Sequence, residues 1–411
     1  MSSNGSLRRL GVLMAAAFVD MLGGSMLFSQ LPFYATRYGA TPGTVGMLIS
    51  AFFLAQLVTA PFWGRTSDRH GRRPAILAGL SLSMVAFTLF GISSSDLALE
   101  TVGTTGVLAL LFLTRFAQGA GGGTAGVLQA YVSDATAPEE RTKALGWVTA
   151  AISCGVMVGP QLGSEAVRFG PMGPGILAAS LCLINLVAAW RWLPESSARG
   201  GSEKRVLSTF SMRKEALEVF QNPGSQVASL IWAYALGMLA FFSLNGVLGL
   251  YLKDSFAFTE RTIGTFYTYV GGVTLIVRAF LIGPLVKRVG EVGTLRLGAL
   301  AITLGLLTVP FAHNLPMLAV CALFMPVGTA LLFPATSSLI SQQYASSETG
   351  RALGVQQAFG GVARLSGPLW ATYAYGFVRT LPFLIAGAMM VLVTLYTLRI
   401  SQPATRSAEA A

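Results

Sequence analysis

Charge is scarce in this chain. Only 11% of its 411 residues are Asp, Glu, Lys or Arg, while 53% are hydrophobic, too little polar surface to coat a soluble core of this size. Long polar runs are scarcer still, and residues 194–224 form the only one. The apolar residues gather in blocks of about twenty, enough to cross a bilayer core of roughly 30 Å as helices. A helix satisfies its own backbone polar groups where no water can. Cysteine and histidine are nearly missing. Cys154, Cys182 and Cys321 each fall inside an apolar block, where they read as small hydrophobes rather than a disulfide framework or metal site. His70 lies in a basic loop and His313 at a helix end; neither is assigned a role. No metal cluster, cofactor motif or Ser/His/Asp set is present, which argues against an enzyme. The glycine-rich stretch Gly119–Gly126 lies within an apolar block and follows no strand, so it does not read as a phosphate cradle.

What is there reads as an all-α membrane protein of twelve spans. Apolar blocks lie near residues 10–32, 44–63, 75–92, 105–133, 144–168, 174–193, 227–250, 262–286, 294–312, 315–340, 351–375 and 379–399. Of the 28 Lys and Arg residues, 20 fall in segments on one side of these blocks and five on the other, with Arg115, Arg278 and Arg364 inside spans. That asymmetry is the positive-inside pattern for a chain with both termini in the cytoplasm. The net charge of +11 therefore reports topology, and no nucleic-acid partner is expected. Arg8 and Arg9 precede an apolar run that is too long for a signal peptide and contains Asp20, so it is expected to stay as the first span.

The chain divides at its polar middle into 1–193, a cytoplasmic linker 194–225 and 226–411, two six-helix bundles. Residues 207–220 place apolar side chains at helical spacing and could lie on the membrane surface. The halves repeat. Ala144-Leu145-Gly146, twelve residues and Gly159-Pro160 return as Ala352-Leu353-Gly354, twelve residues and Gly367-Pro368. Gly123-Thr124-Ala125 answers Gly328-Thr329-Ala330, and the loop from Gly64 to Arg73 has a degraded copy from Gly283 to Gly290. Same-order repeats six spans apart are the parallel-repeat plan of rocking-bundle transporters.

Two motifs sharpen this. Gly64-Arg65-Thr66-Ser67-Asp68-Arg69-His70-Gly71-Arg72-Arg73, between the second and third spans, resembles the GxxxDRxGRR loop of the major facilitator superfamily. The resemblance implies a cytoplasmic latch of Gly64, Asp68, Arg69, Gly71, Arg72 and Arg73, with Asp68 facing the start of the eleventh span and Arg72 reaching Asp134. In the fifth span Gly146, Gly155, Gly159-Pro160 and Gly163 resemble the antiporter motif of the drug:proton antiporter branch, although Ser164 stands where that branch usually has a second glycine. The spacing of Gly155, Gly159 and Gly163 puts a groove on one helix face, and Pro160 is expected to bend or weaken the helix beside it.

Charges inside the spans are the functional candidates. Asp20 lies near the middle of the first span, where a carboxyl group can take up and release a proton as its hydration changes. Asp20 to Gly23, continuing to Leu31-Pro32, resembles the first helix of tetracycline-type efflux proteins. Arg115, with Gln118-Gly119, resembles a motif implicated in proton coupling, and it opens a face continued by Gly122, Gly126 and Gln129. An unpaired buried arginine is costly, so Arg115 is expected to partner Asp20. Arg278 and Arg364 have no acidic partner in the core of any C-terminal helix, and with Gln118, Gln129, Asn245, Gln356 and Gln357 they are candidates to line a substrate cavity favouring anionic or electron-rich compounds. Positions that are polar in the tetracycline proteins are not matched: here they hold Ala86, Thr274, Arg278 and Ile302.

The leading expectation is proton-coupled antiport of a small organic compound by alternating access, with no cofactor or metal. Asp20 and Arg115 would couple the proton, and the chain would act as a monomer in a plasma (inner) membrane. Symport or facilitated uptake is the alternative transport reading, and a transport-inactive receptor or scaffold is the alternative of another class.

Overall fold

The computed structural model describes residues 3–137, 140–195, 216–344 and 346–400. Lys204, Arg205, Arg213, Lys214 and Arg406, and most of the segment expected to lie on the membrane surface, fall outside them; residues 216–221 are helical. The helices are α1 (Ser3–Arg37), α2 (Pro42–His70), α3 (Arg72–Ser93), α4 (Asp96–Gly122), α5 (Ala125–Ala135), α6 (Arg141–Ala166) and α7 (Gly173–Trp192). After the linker come α8 (Gln226–Phe256), α9 (Ile263–Ile276), α10 (Ile282–Thr308), α11 (Leu315–Ser341), α12 (Ser346–Phe377) and α13 (Leu381–Thr397). A π-helical turn, Val277–Leu281, joins α9 to α10.

Among the described residues, nine helical stretches are long and apolar enough to cross a membrane. One of them, Ile263–Phe311, is two spans, because Gly290 turns it at a φ of 72° that a side-chain-bearing residue rarely adopts. With α12 and the shorter apolar α13, that agrees with the twelve expected spans. The first is longer than expected, since α1 runs through Pro32 to Arg37. The fourth is built from two helices. The carbonyl of Ala120 accepts from Trp63 Nε1 at 2.7 Å and Thr59 Oγ1 at 3.3 Å, while the next backbone bonds tighten, Thr124 N–H donating to Gly121 O. Side chains from α2 thus take a carbonyl that the helix would otherwise use, and the spiral breaks there. Pro160 produces no comparable break: α6 is continuous across it.

Contacts sort the chain into two compact units, one of residues 1–203 with 247–272 and one of 204–246 with 273–411. The stretch 247–272, placed by the sequence in the second bundle, groups with the first. Each unit repeats the same devices. In the first, a side chain at Gly159 would collide with Ser25 Oγ and Leu22 O of α1; in the second, one at Gly367 would be tight against Leu239 O and Ser243 N of α8. Gly121 lies on Gly79 and Ser83 of α3, as Gly328 lies on Gly298 and Ile302 of α10. The loops before the third and ninth spans turn on Gly71 (φ 104°) and Gly290. Just beyond them, Arg73 Nη2 donates to Trp190 O at the end of α7, and Arg296 donates to Thr397 O, Leu398 O and Ile400 O at the end of α13. A cation on the last carbonyls of a helix is favourable on both hydrogen-bonding and dipole grounds.

Candidate functional site

Asp20 sits on the face of α1 that looks into the first unit. The Ser83 hydroxyl of α3 lies next to its carboxylate, and Cys182 of α7 lies close enough to feel its charge. Gly23, one turn on, shares this face: a Cβ there would press into the Phe87 ring of α3 and lie beside Ala178 of α7. Small residues and a hydroxyl thus let three helices close around a carboxyl group that remains partly accessible. Asn185 Nδ2 ties α7 back to Ala16 O of α1 at 3.5 Å.

Arg115 is 1% exposed, yet the structure does not pair it with Asp20. Its guanidinium donates to Gln118 Oε1, its carbon lies 5.1 Å from the centre of the Phe52 ring, and its Nε has no partner. The cause lies in Gly119, where α2 and α4 touch: a Cβ there would strike the Phe52 carbonyl. That crossing turns Arg115 toward α2, where an aromatic face stabilises the cation, and Asp20 is left to α3 and α7. Gln118 faces α1 opposite Gly24. The expected continuous face of the fourth span ends at the break: Gly122 is buried, whereas Gly126 and Gln129 on α5 are exposed.

The glycines of α6 behave as the groove predicts. Side chains at Gly155, Gly159 and Gly163 would meet Phe18, Leu22, Ser25 and Met26 of α1, the turns on both sides of Asp20. Ser25 Oγ also donates to Gly155 O at 3.2 Å. Gly146 has open space around it and makes no such contact.

At the loop, Arg72 is the centre. Its guanidinium bonds Asp68 Oδ1 at 2.5 Å, Ser67 Oγ at 2.7 Å and Asp134 Oδ2 at 3.2 Å, so the expected reach to Asp134 is present. Asp68 is engaged within its own loop. Gly64 has no close neighbour and Arg69 is exposed. Glu195 was not anticipated: its carboxylate accepts from the backbone N–H of Arg72 at 2.8 Å and of Arg73 at 3.3 and 3.4 Å. A negative group on the unsatisfied N–H groups that open α3 is the expected cap, supplied from beyond α7. The sequence signal was the polar Pro194-Glu195 after the sixth span.

The second unit holds the other candidates. Arg364 Nη2 donates to Gln357 Oε1 at 2.8 Å, and its Nε to Gly360 O at 3.3 Å; the Tyr234 hydroxyl of α8 lies next to both side chains. A Cβ at Gly360 would press on the Tyr234 ring, so α8 and α12 meet there closely. Gln356 is fully buried between Ser337 and Thr336 of α11, which makes it interhelical glue. Asn245 donates to Phe241 O one turn back. Arg278 lies on the π-turn and is exposed. Ala86 and Ile302 are 1% and 0% exposed, packed into helix interiors.

A sequence model described as Major Facilitator Superfamily matches residues 13–281 and 230–411. Multidrug resistance protein 2 of Bacillus subtilis is 27% identical over 390 residues, covering 92% of each chain. The class C tetracycline resistance protein of Escherichia coli is 26% identical, covering 97% of this chain and 98% of its own. Among solved structures, a D-xylose–proton symporter superposes with a TM-score of 0.73 at 17% identity, covering 97% of this chain and 98% of its own. The chain belongs to the major facilitator superfamily, as its motifs implied; it is a multi-pass membrane transporter and not an enzyme.

Proposed function

We propose that this transporter expels a small organic compound in exchange for protons, by alternating access. The observation that carries the reading is Asp20. It is a carboxyl group inside the first unit, next to a neutral hydroxyl, with no cation paired to it among the described ion pairs. An ion-locked carboxylate would hold its charge throughout, whereas one that faces a neutral hydroxyl and a thiol can be neutralised when water withdraws. The close α1–α6 seam beside it means that a change in its charge is felt along the whole helix pair. Named likeness to multidrug and tetracycline resistance proteins favours efflux over uptake.

In this reading Arg115 shapes the field around the proton site from α4 without clamping it. Arg364, Gln357 and Tyr234 offer donors to an anionic or electron-rich cargo, with Arg278 in the same unit. The protein works as a monomer in the bacterial inner membrane, termini in the cytoplasm. A proton symporter would use the same carboxyl group, so direction decides. Liposomes holding the purified protein, given an inward proton gradient, should expel an internal dye from a panel of organic anions and cations. Gradient-driven accumulation of the same dye would establish symport instead.

A further inference from the structure

Where the antiporter branch usually carries a second glycine, this chain has Ser164, and the structure gives that departure a use. Ser164 is 1% exposed at the end of α6. Its hydroxyl donates to Glu260 O at 2.7 Å and accepts from Gly264 N–H at 2.9 Å and from Gln30 Nε2 at 3.1 Å. Gln30 of α1, fully buried, donates to Glu260 O as well, at 3.1 Å. One oxygen therefore joins α1, α6 and the backbone that opens α9. The surrounding bonds run the same way: Thr265 Oγ1 to Gln161 Oε1 at 3.3 Å, Thr268 Oγ1 to Met157 O at 3.2 Å and Lys253 Nζ to Thr36 Oγ1 at 2.5 Å. A Cβ at Gly264 would collide with Pro160 O and Ser164 Oγ, and one at Gly271 would press on Met157. So α6 has two working faces, the glycines on α1 and the Met157–Ser164 face on α9. The seam lies at the end of the unit opposite the Gly64–Arg73 loop.

We infer that Ser164 is a positioning residue for transport, whose hydroxyl holds the start of α9 on α1 and α6 and sets how often that end opens. A glycine there would leave the Gly264 N–H and the Gln30 amide without their shared partner. The cluster is built to release, because Gln30 Oε1 is buried with no partner and an incompletely satisfied polar cluster costs less to open. The inference rests on the alternating-access reading but not on proton coupling.

The test is a distance across the seam. With Cys154, Cys182 and Cys321 replaced, spin labels go on Phe169→Cys and Ser255→Cys, both exposed positions, and distances are read with no gradient imposed. The native residue should give mainly the short distance. Ser164→Ala should raise the population of a longer distance by roughly fivefold, the effect of losing about one net hydrogen bond. Ser164→Thr, which keeps the hydroxyl, should restore the short one, and Ser366→Ala should change nothing. Should Ser164→Ala not fold, Gln30→Leu removes the other half of the cluster and carries the same expectation. An unchanged distribution in whichever of these variants folds, or a loss of thermal stability without a longer distance, overturns the assignment. A failure of proton coupling would leave these distances untouched.

Discussion

Single side chains decide whether the first unit is a packed bundle or a working one. The Glu195 carboxylate serves two N–H groups at the start of α3, those of Arg72 and Arg73. Replacing it with Ala should cost about 1–2 kcal/mol, in line with a lost helix cap, and should lower the melting midpoint in detergent. Glu140, whose side chain caps nothing, is the control: its replacement should leave the midpoint in place. Arg115 makes the complementary case. Its planar guanidinium bonds Gln118 while lying against Phe52, a geometry that an ammonium cannot copy. Arg115→Lys should therefore lower the transport rate while leaving the protein folded, as judged by gel filtration. A full rate in that variant would show that charge alone suffices there.

Helices approach each other in this protein where glycine allows it, and that makes the antiporter motif divisible. Gly159→Val would drive a branched side chain into Leu22 O and Met26 N, with an overpacking cost of roughly 1–3 kcal/mol. Gly146→Ala meets open space and should be tolerated or stabilise the helix by up to about 1 kcal/mol. Thermal melts of the two variants check both. At this scale much was legible beforehand: the period of the glycines gave the groove, and the resemblance of the loop to the superfamily's motif implied Arg72 to Asp134. The Asp20–Arg115 pair was not legible, because helical spacing says which residues share a face but not how that face is rotated. Phe52 and Gly119 set the rotation, and they lie on different helices. The break at Gly123–Thr124 and the cap by Glu195 were hidden for the same reason, since each depends on side chains sixty or more positions away. Neither periodicity nor composition reports such partners.

For the whole molecule, the repeat seen in sequence is repeated in contacts: the Gly159 and Gly367 crossings, the Gly71 and Gly290 turns, and Arg73 and Arg296 on the ends of α7 and α13. The copies differ where function would differ. In the first unit Arg72 at the third span faces Asp134; in the second, Glu291 at the ninth accepts from Ser338 and Gln342, each at 2.7 Å. Among the described residues, only the first unit carries an intramembrane carboxyl group of the Asp20 kind, so proton exchange is expected from that unit. The decisive measurement is proton movement in liposomes loaded with a pH-sensitive dye, comparing the native protein with Asp20→Asn at matched amounts in the bilayer. Cargo added to the native protein should release protons across the membrane, and Asp20→Asn should bind the same cargo with that release abolished. Undiminished proton movement in Asp20→Asn would contradict the account.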